Sequence, residues 1–281
     1  MAGPNSISGR VVAVTGGARG IGQAIAASLA RRGARVAIGD IDGEAAERAA
    51  GALGAEAVGA QLDVTDRDSF ERFLDTARDR LGPLDVLVNN AGVMVVGPFA
   101  EANEVAAARV MDVNLGGVIH GMRLAIPRLR ERGGGQIVNV ISGAGWVPPA
   151  ALATYAASKH AAKGLSDAVR DELRGEGIRV TAVYPMLVQT ELAVGTKPAR
   201  GGRWISPDEV GEAVAAHCRP VRLEDDGTLL VSADSAAWAT QLAYLQGTLL
   251  DRINRICGPG AVVAVRVRTD EQNARGRWRR R

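Results

Sequence analysis

An α/β fold, a doubly wound parallel sheet of about seven strands with helices on both faces, is what this 281-residue chain predicts. Three observations carry that prediction. Short apolar runs of strand length alternate with longer stretches of helical period. Glycines cluster immediately after the first run, where a strand must turn into a helix. Polar residues of chemical interest follow the ends of these runs, as ligand-binding groups do at the carboxyl edge of an open sheet.

Arg10 to Val14 is a short apolar strand that runs into Thr15-Gly-Gly-Ala-Arg-Gly-Ile-Gly22, and a helix follows from Gln23 to Arg32 with Ile25 and Leu29 on its buried side. Arg35 to Gly39 is the second strand, ending at Asp40, and a helix starts near Gly43. A third strand, Ala57 to Leu62, ends at Asp63-Val64; a helix spans Arg67 to Leu81; Asp85 to Val88 is the fourth strand, closed by Asn89-Asn90-Ala91-Gly92. Asn103 to Arg132 reads as one long helical stretch containing Asn114. Gln136 to Ile141 is the fifth strand, Thr154 to Gly175 a helix and Arg179 to Tyr184 the sixth strand. Gly227 to Ser232 supplies a seventh. Ala236 to Ile256 then places Trp238, Leu242, Leu245, Leu249, Ile253 and Ile256 on one helical stripe, and Val262 to Val267 is a short extra strand. Residues 1–260 are expected as a single domain with an additional C-terminal helix, and 261–281 as a basic, flexible tail.

A hydrophobic share of 47% suits a closely packed domain with a sizeable core. The formal charge of +3 misleads, because Val262 to Arg281 alone holds seven Arg against Asp270 and Glu271, which leaves the preceding body at −2. Basicity is a property of the tail, so neither nucleic acid nor membrane is expected as a partner of the folded body. Cys218 and Cys257 form no C-x-x-C pair and the three histidines are scattered, so no metal site is expected. The opening residues lack a basic region followed by an apolar run, and no later segment reaches the length of a membrane span. A soluble protein of the reducing cytoplasm is the expectation.

Strand, glycine turn and helix in that order suit an anion. Gly16 permits the tight turn, Gly20 lets the backbone approach a pyrophosphate, Gly22 lets helix and strand pack closely, and the helix N-terminus attracts negative charge. A bare turn would use the same glycines. Asp40 stands eighteen residues after Gly22, where a carboxylate accepts the ribose hydroxyls of NAD and repels a 2′-phosphate; capping the helix near Gly43 is its other reading. Arg19, in the turn itself, pulls toward NADP, but Ile41 occupies the place of a second basic residue. NAD is expected ahead of NADP.

Tyr155 and Lys159 are four apart on a helix and share a face. A phenol of pKa about 10 needs about 4 kcal/mol of preferential stabilisation to titrate near neutrality. An ammonium about 4 Å away supplies that at an effective dielectric near 20. Lys159 can thus make Tyr155 an acid/base, and Ser142, thirteen residues upstream of Tyr155, can hold a substrate oxygen beside the phenol. A surface Tyr/Lys pair with a loop serine would show the same spacing, and an Asn within a helix, such as Asn114, is commonly a packing residue.

Taken together, Thr15 to Gly22, Asp63-Val64, Asn89 to Gly92, Asn114, Ser142, Tyr155-x-x-x-Lys159 and Tyr184-Pro185 with Thr190 agree in order and spacing over roughly residues 8 to 192. This pattern resembles the short-chain dehydrogenase/reductase family. The resemblance implies a Rossmann-like fold and a catalytic tetrad of Asn114, Ser142, Tyr155 and Lys159. Tyr155 would transfer the proton, Ser142 hold the substrate oxygen, Lys159 lower the Tyr pKa and bond the nicotinamide ribose, and Asn114 hold a water. It implies cofactor contacts from Gly16, Arg19, Gly20, Ile21, Gly22, Asp40, Asp63, Val64, Asn90, Ala91, Gly92, Pro185, Val188 and Thr190, besides Tyr155 and Lys159. It also implies a homodimer or homotetramer. Met186 replaces the family's usual glycine after the proline, and its usual C-terminal segment is not evident.

Val93 to Phe99, Gly143 to Leu152 and Met186 to Ile205 would wall the substrate space with Met94, Trp146, Val147, Leu152, Met186, Leu187 and Trp204, while Lys197, Arg200 and Arg203 sit in a lid. That composition suits a neutral, hydrophobic secondary alcohol or ketone. The expected activity is reversible hydride transfer between NAD(H) and such a substrate. An NADPH-dependent carbonyl reductase is the nearest alternative, and a non-catalytic dinucleotide-sensing or scaffold protein with an Arg-rich tail is the alternative of another class.

Overall fold

In the computed structural model of the protein the described residues are 7–185, 188–193, 204–217, 228–233 and 264–269. The chain divides into two compact units, Met1–Arg219 and Pro220–Arg281. In the first, the order of elements is β1 (Val11–Thr15), α1 (Gly20–Arg31), β2 (Arg35–Asp40), α2 (Gly43–Gly51), β3 (Ala57–Gln61), α3 (Arg67–Leu81) and β4 (Val86–Asn89). There follow α4 (Glu104–Met111), a π-turn (Asp112–Gly116), α5 (Gly117–Glu131), β5 (Gly135–Val140), α6 (Ala153–Glu172), β6 (Ile178–Val183) and α7 (Pro207–His217).

The six strands form one parallel sheet in the order β3-β2-β1-β4-β5-β6. Strand order reverses between β1 and β4, and the crevice at such a reversal is where ligands of open sheets bind. Registers such as Val14 with Ile38 and with Val88 bring the carboxyl ends of β1, β2 and β4 level. Alternate strand residues feed two cores, as expected for a sheet covered on both faces. Val12, Val14, Val36, Ile38 and Val88 pack with Ile25 and Leu29 of α1, Ala46 of α2 and Val210 and Val214 of α7. On the opposite face, Ala13, Ala37, Leu87 and Ile137 pack with Phe70 and Phe73 of α3, Met122 and Leu129 of α5 and Leu165 and Val169 of α6.

Among the described residues the sheet has six strands rather than about seven. Thr228–Ala233 (β7) is a strand at the expected place, but it pairs in parallel with Ala264–Thr269 (β8), from Thr228 opposite Ala264 to Ala233 opposite Thr269. The reason is one of available partners: β8 has a strand's alternating pattern and its full length matches β7, so the two form a single ladder within the second unit. The amphipathic stretch 236–256 and the tail from 270 lie outside the described residues. The long helix over 103–132 is interrupted by the π-turn, in which the Gly117 amide donates to the Asp112 carbonyl. Helix α7 lies beyond the elements expected from the sequence, although its signal is in Ser206-Pro-Asp-Glu209. The Glu209 amide donates to Ser206 Oγ at 3.2 Å and the Ser206 amide to Glu209 Oε2 at 2.7 Å, a capping box with proline at the first helical position. Glu212 then ties α7 to α1: Arg31 and Arg32 each donate to it at 2.7 Å, holding its carboxyl at about 2. No helix among the described residues is long and apolar enough to cross a membrane.

Candidate active site

The glycine turn closes β1. Gly16 (φ +61°) and Gly20 (φ +56°) both sit in the left-handed region that favours glycine. A Cβ on Gly22 would run directly into the Gly16 carbonyl oxygen and the Asn90 amide, so this residue must lack a side chain for α1 to approach β1. Arg19, at the cap position of α1, makes no side-chain cap, and no acidic residue stands in the first turn. The N-terminal amides of α1 are therefore left to an anion. Gly22→Ala is expected to lower stability by about 1–3 kcal/mol through overpacking and to weaken dinucleotide binding at least tenfold. Gly51→Ala, at an open position in the last turn of α2, should leave both intact; thermal melts and nucleotide titration check the pair.

Around this turn the backbone is held by side chains from neighbouring strand ends. Thr15 Oγ1 accepts from the amides of Asn90 and Ala91, both at 3.0 Å. Asn90 Nδ2 donates to the carbonyls of Thr15 and Gly16, so its amide fixes the turn itself. Asp40, buried at the end of β2, accepts from Ala18 N at 3.1 Å and Asp42 N at 3.3 Å. It does not cap α2; Asp42 does, accepting from Ala45 N at 2.9 Å. Asp63 shapes its own loop by accepting from Thr65 N and Oγ1 at 2.9 and 2.7 Å, and the Val64 carbonyl lies 3.1 Å from His120 Nδ1. Thr190 approaches Gly20, its methyl 3.5 Å from the position of a Cβ there, and the buried Val188 bridges to Ile205.

Next to this cradle lie the four polar residues singled out in the sequence. Ser142 follows β5; its Oγ accepts from Ala144 N at 3.1 Å, and the serine stands near enough to the Tyr155 hydroxyl to favour its ionised form. The adjacent Gly143 amide donates to the Pro185 carbonyl at 2.8 Å, which fastens the end of β6 to the serine loop. Tyr155 and Lys159 stand one turn apart on α6, both buried. Lys159 Nζ donates to Val140 O at 3.2 Å and lies 5.7 Å from the Tyr155 ring centre. Burial pushes the Tyr155 phenol above its ordinary range, partly offset by the nearby Ser142, and the lowering expected from Lys159 is not seen. Burial also brings the Lys159 ammonium down to about 8, which leaves it a cation at neutral pH.

Asn114 sits in the π-turn with no exposed surface. Its Oδ1 accepts from Val93 N at 2.8 Å, and its Nδ2 donates to Val93 O at 2.9 Å and Ser158 Oγ at 3.0 Å. The side chain is thereby occupied in pinning the Gly92-Val93 backbone to α6, with Ser158 in turn donating to the Tyr155 carbonyl at 2.7 Å. A Cβ on Gly92 would lie 3.3 Å from Asn114 Oδ1 and 3.5 Å from Lys159 Nζ, so this backbone passes over both. Ser158 is a supporting residue that the sequence does not single out, marked only by its adjacency to Lys159, and Thr15 is named there only as the start of the glycine motif, with no role of its own. Apolar neighbours complete the site: Val93, Met94, Val110, Ala144 and Leu152 cluster with Tyr155. Trp146 meets the Tyr184 ring edge-on at 5.4 Å and is largely exposed. Met186, Leu187, Lys197, Arg200 and Arg203 lie outside the described residues. No group of three His, Cys, Asp or Glu among the described residues could hold a metal.

A glycine cradle with free helix amides, beside Ser142 and the buried Tyr155 and Lys159, defines an oxidoreductase that uses a nicotinamide dinucleotide. The chain belongs to the short chain dehydrogenase family, whose model matches residues 10–201. It is 40% identical over 198 residues to a 1-deoxy-11-beta-hydroxypentalenate dehydrogenase of Streptomyces exfoliatus, covering 68% of this chain and 72% of that protein. It is 34% identical over 237 residues to a 3-alpha-(or 20-beta)-hydroxysteroid dehydrogenase of Mycobacterium bovis, covering 84% and 87%. Among solved structures, a 3-ketoacyl-(acyl-carrier-protein) reductase from Brucella melitensis complexed with NADH superposes with a TM-score of 0.72 at 32% identity, over 76% of this chain and 93% of that one. Other solved neighbours carry NAD or 5-hydroxy-NADP. A second family model, described as Dna[CI] antecedent, DciA, matches residues 181–267.

Proposed function

We propose that this chain is an NAD(H)-dependent dehydrogenase of a neutral, hydrophobic secondary alcohol and its ketone. The observation that carries the reading is the placement of the Tyr155 hydroxyl near Ser142, against an apolar cluster and with the buried Lys159 Nζ 5.7 Å from the Tyr155 ring centre. When bound, the nicotinamide ring supplies the site that takes or gives the hydride. The glycine turn with Ile21 would hold the pyrophosphate, Asp40 with Arg19 beside it would face the adenine ribose, and Asp63 with Val64 and the Asn90-Ala91-Gly92 backbone would hold the adenosine. Pro185, Val188 and Thr190 would border the nicotinamide. Ser142 Oγ would hold the substrate oxygen, Tyr155 Oη would give or take its proton, and Lys159 would hold the nicotinamide ribose. Asp40 favours NAD because a 2′-phosphate would face a buried carboxylate.

The hydroxysteroid relative supports a hydrophobic, neutral alcohol, and the hydroxypentalenate relative, whose named substrate is a carboxylate, supports an alcohol substrate without bearing on its neutrality. A panel of cyclic secondary alcohols and ketones, followed by NADH absorbance with NAD and NADP at equal concentration, tests the reading. Turnover on polycyclic alcohols with NAD is the expected result; turnover confined to CoA-linked or phosphorylated substrates, or to NADP, would overturn it. A homodimer or homotetramer, built in part from the long helices that carry Asn114 and Tyr155, goes with this reading and is read by light scattering.

A second reading concerns the C-terminal unit and rests on a separate observation. Residues 220–281 form their own compact unit, overlap the DciA match and end in Arg-Gly-Arg-Trp-Arg-Arg-Arg. An arginine run with an interleaved tryptophan suits a polyanion with stacking bases. We therefore propose that this unit is an appended module that binds single-stranded nucleic acid. Anisotropy titrations of a labelled oligonucleotide at low and high salt, full chain against a chain ended at residue 269, should show salt-dependent binding lost on truncation. Equal binding by both chains, or binding only to anionic vesicles, would overturn it.

A further inference from the structure

Arg19 brings a cation into a site assigned to NAD. It follows Ala18, whose amide donates to Asp40 Oδ2 at 3.1 Å, so a cation and the ribose-reading carboxylate converge on consecutive residues. A guanidinium there would attract a 2′-phosphate, against the preference set by Asp40. The described residues place a second carboxylate against it: Arg19 Nη1 lies 3.6 Å from Glu191 Oε2, with the two side chains 62% and 84% exposed. Glu191 is held there by its backbone rather than by the ion pair. Gln189 N donates to Ile205 O at 2.9 Å on one side, and Ala193 N donates to Thr190 O at 3.0 Å on the other, with the Thr190 methyl against Gly20.

We propose that Glu191 is a cofactor-selectivity residue: by engaging Arg19 it withholds that cation from the 2′-phosphate of NADP(H) and so reinforces the discrimination set by Asp40. The inference rests on the dinucleotide reading above and adds to it a residue from the far side of the cleft. Exposed ion pairs are weak and screened by salt, so the effect is a modest factor, about twofold to fivefold at low ionic strength.

The test is a double-mutant cycle read by direct binding. Dissociation constants for NADH and NADPH are measured by fluorescence titration on the full chain with Glu191→Gln, Arg19→Ala and both, alongside the unmodified protein. Glu191→Gln should tighten NADPH about twofold to fivefold, with a smaller change for NADH, and the gain should vanish in the Arg19→Ala background and at high salt. An unchanged NADPH affinity in Glu191→Gln overturns the proposal, as does an equal gain with Arg19 removed, which would mean direct repulsion by the carboxylate. If the unmodified protein binds neither nucleotide, the dinucleotide reading itself falls, an outcome distinct from both.

Discussion

Replacing Tyr155 by Phe is expected to lower turnover about 10²–10⁴-fold, the usual contribution of a positioned acid/base, while dinucleotide affinity stays within a few fold. The ring keeps its place among Val93, Ala144 and Leu152, and only the hydroxyl near Ser142 is lost. Stopped-flow absorbance of the nicotinamide together with nucleotide titration separates the two effects. Near-normal turnover with intact binding would refute the role of the phenol. Because burial holds the phenol above its ordinary pKa, it is protonated at neutral pH. Ketone reduction, which needs the proton, should therefore be supported at neutral pH, whereas alcohol oxidation, which needs the phenolate, should accelerate as pH rises.

Lys159→Met should abolish most activity and at the same time stabilise the cofactor-free protein at pH 7. The ammonium is buried and its pKa falls from 10.5 to about 8, a difference corresponding to about 3 kcal/mol. A lysine depressed in the folded state binds fewer protons than the unfolded chain between those two values, so stability rises with pH across that window. The destabilisation is full below about 8 and is relieved as pH climbs toward 10.5. The advantage of the methionine variant, measured as a difference in denaturant midpoints, should accordingly be largest at pH 7 and shrink toward pH 10.5. A difference that does not vary with pH would show that packing, not charge burial, separates the two proteins. Function here is held at the expense of local stability.

The sheet was legible because its signals are local. Strand-length apolar runs such as Val86 to Asn89, and the period of Arg67 to Leu81, do not depend on distant residues. The Tyr155, Lys159 and Ser142 group was legible for a related reason: a helical turn fixes the first two, and a strand end fixes the third. What escaped depends on partner choice. Nothing within Thr228–Ala233 says whether it will extend the sheet or pair with Ala264–Thr269. Nor does the sequence around Asn114 announce that its amide will be taken by Val93 and Ser158, since those contacts join segments 21 and 44 residues away. Asn90 was read as a cofactor neighbour, and its side-chain hydrogen bonds go to the glycine turn, a division of labour visible only in three dimensions. Helix α7 is a different case, because its capping box lies within four consecutive residues and the information for it is entirely local.

The π-turn at Asp112–Gly116 amounts to one residue more than a regular helix would carry. Shortening the chain by one position there would heal the hydrogen-bond ladder and yield a straighter, better-formed rod. It would also rotate the upstream helix by about 100° relative to the downstream one, swinging the asparagine carboxamide away from the strand end it fastens. Chain length at this point is therefore under a constraint that substitution tables do not capture: the most favourable repair of the helix is the one that dismantles the enzyme.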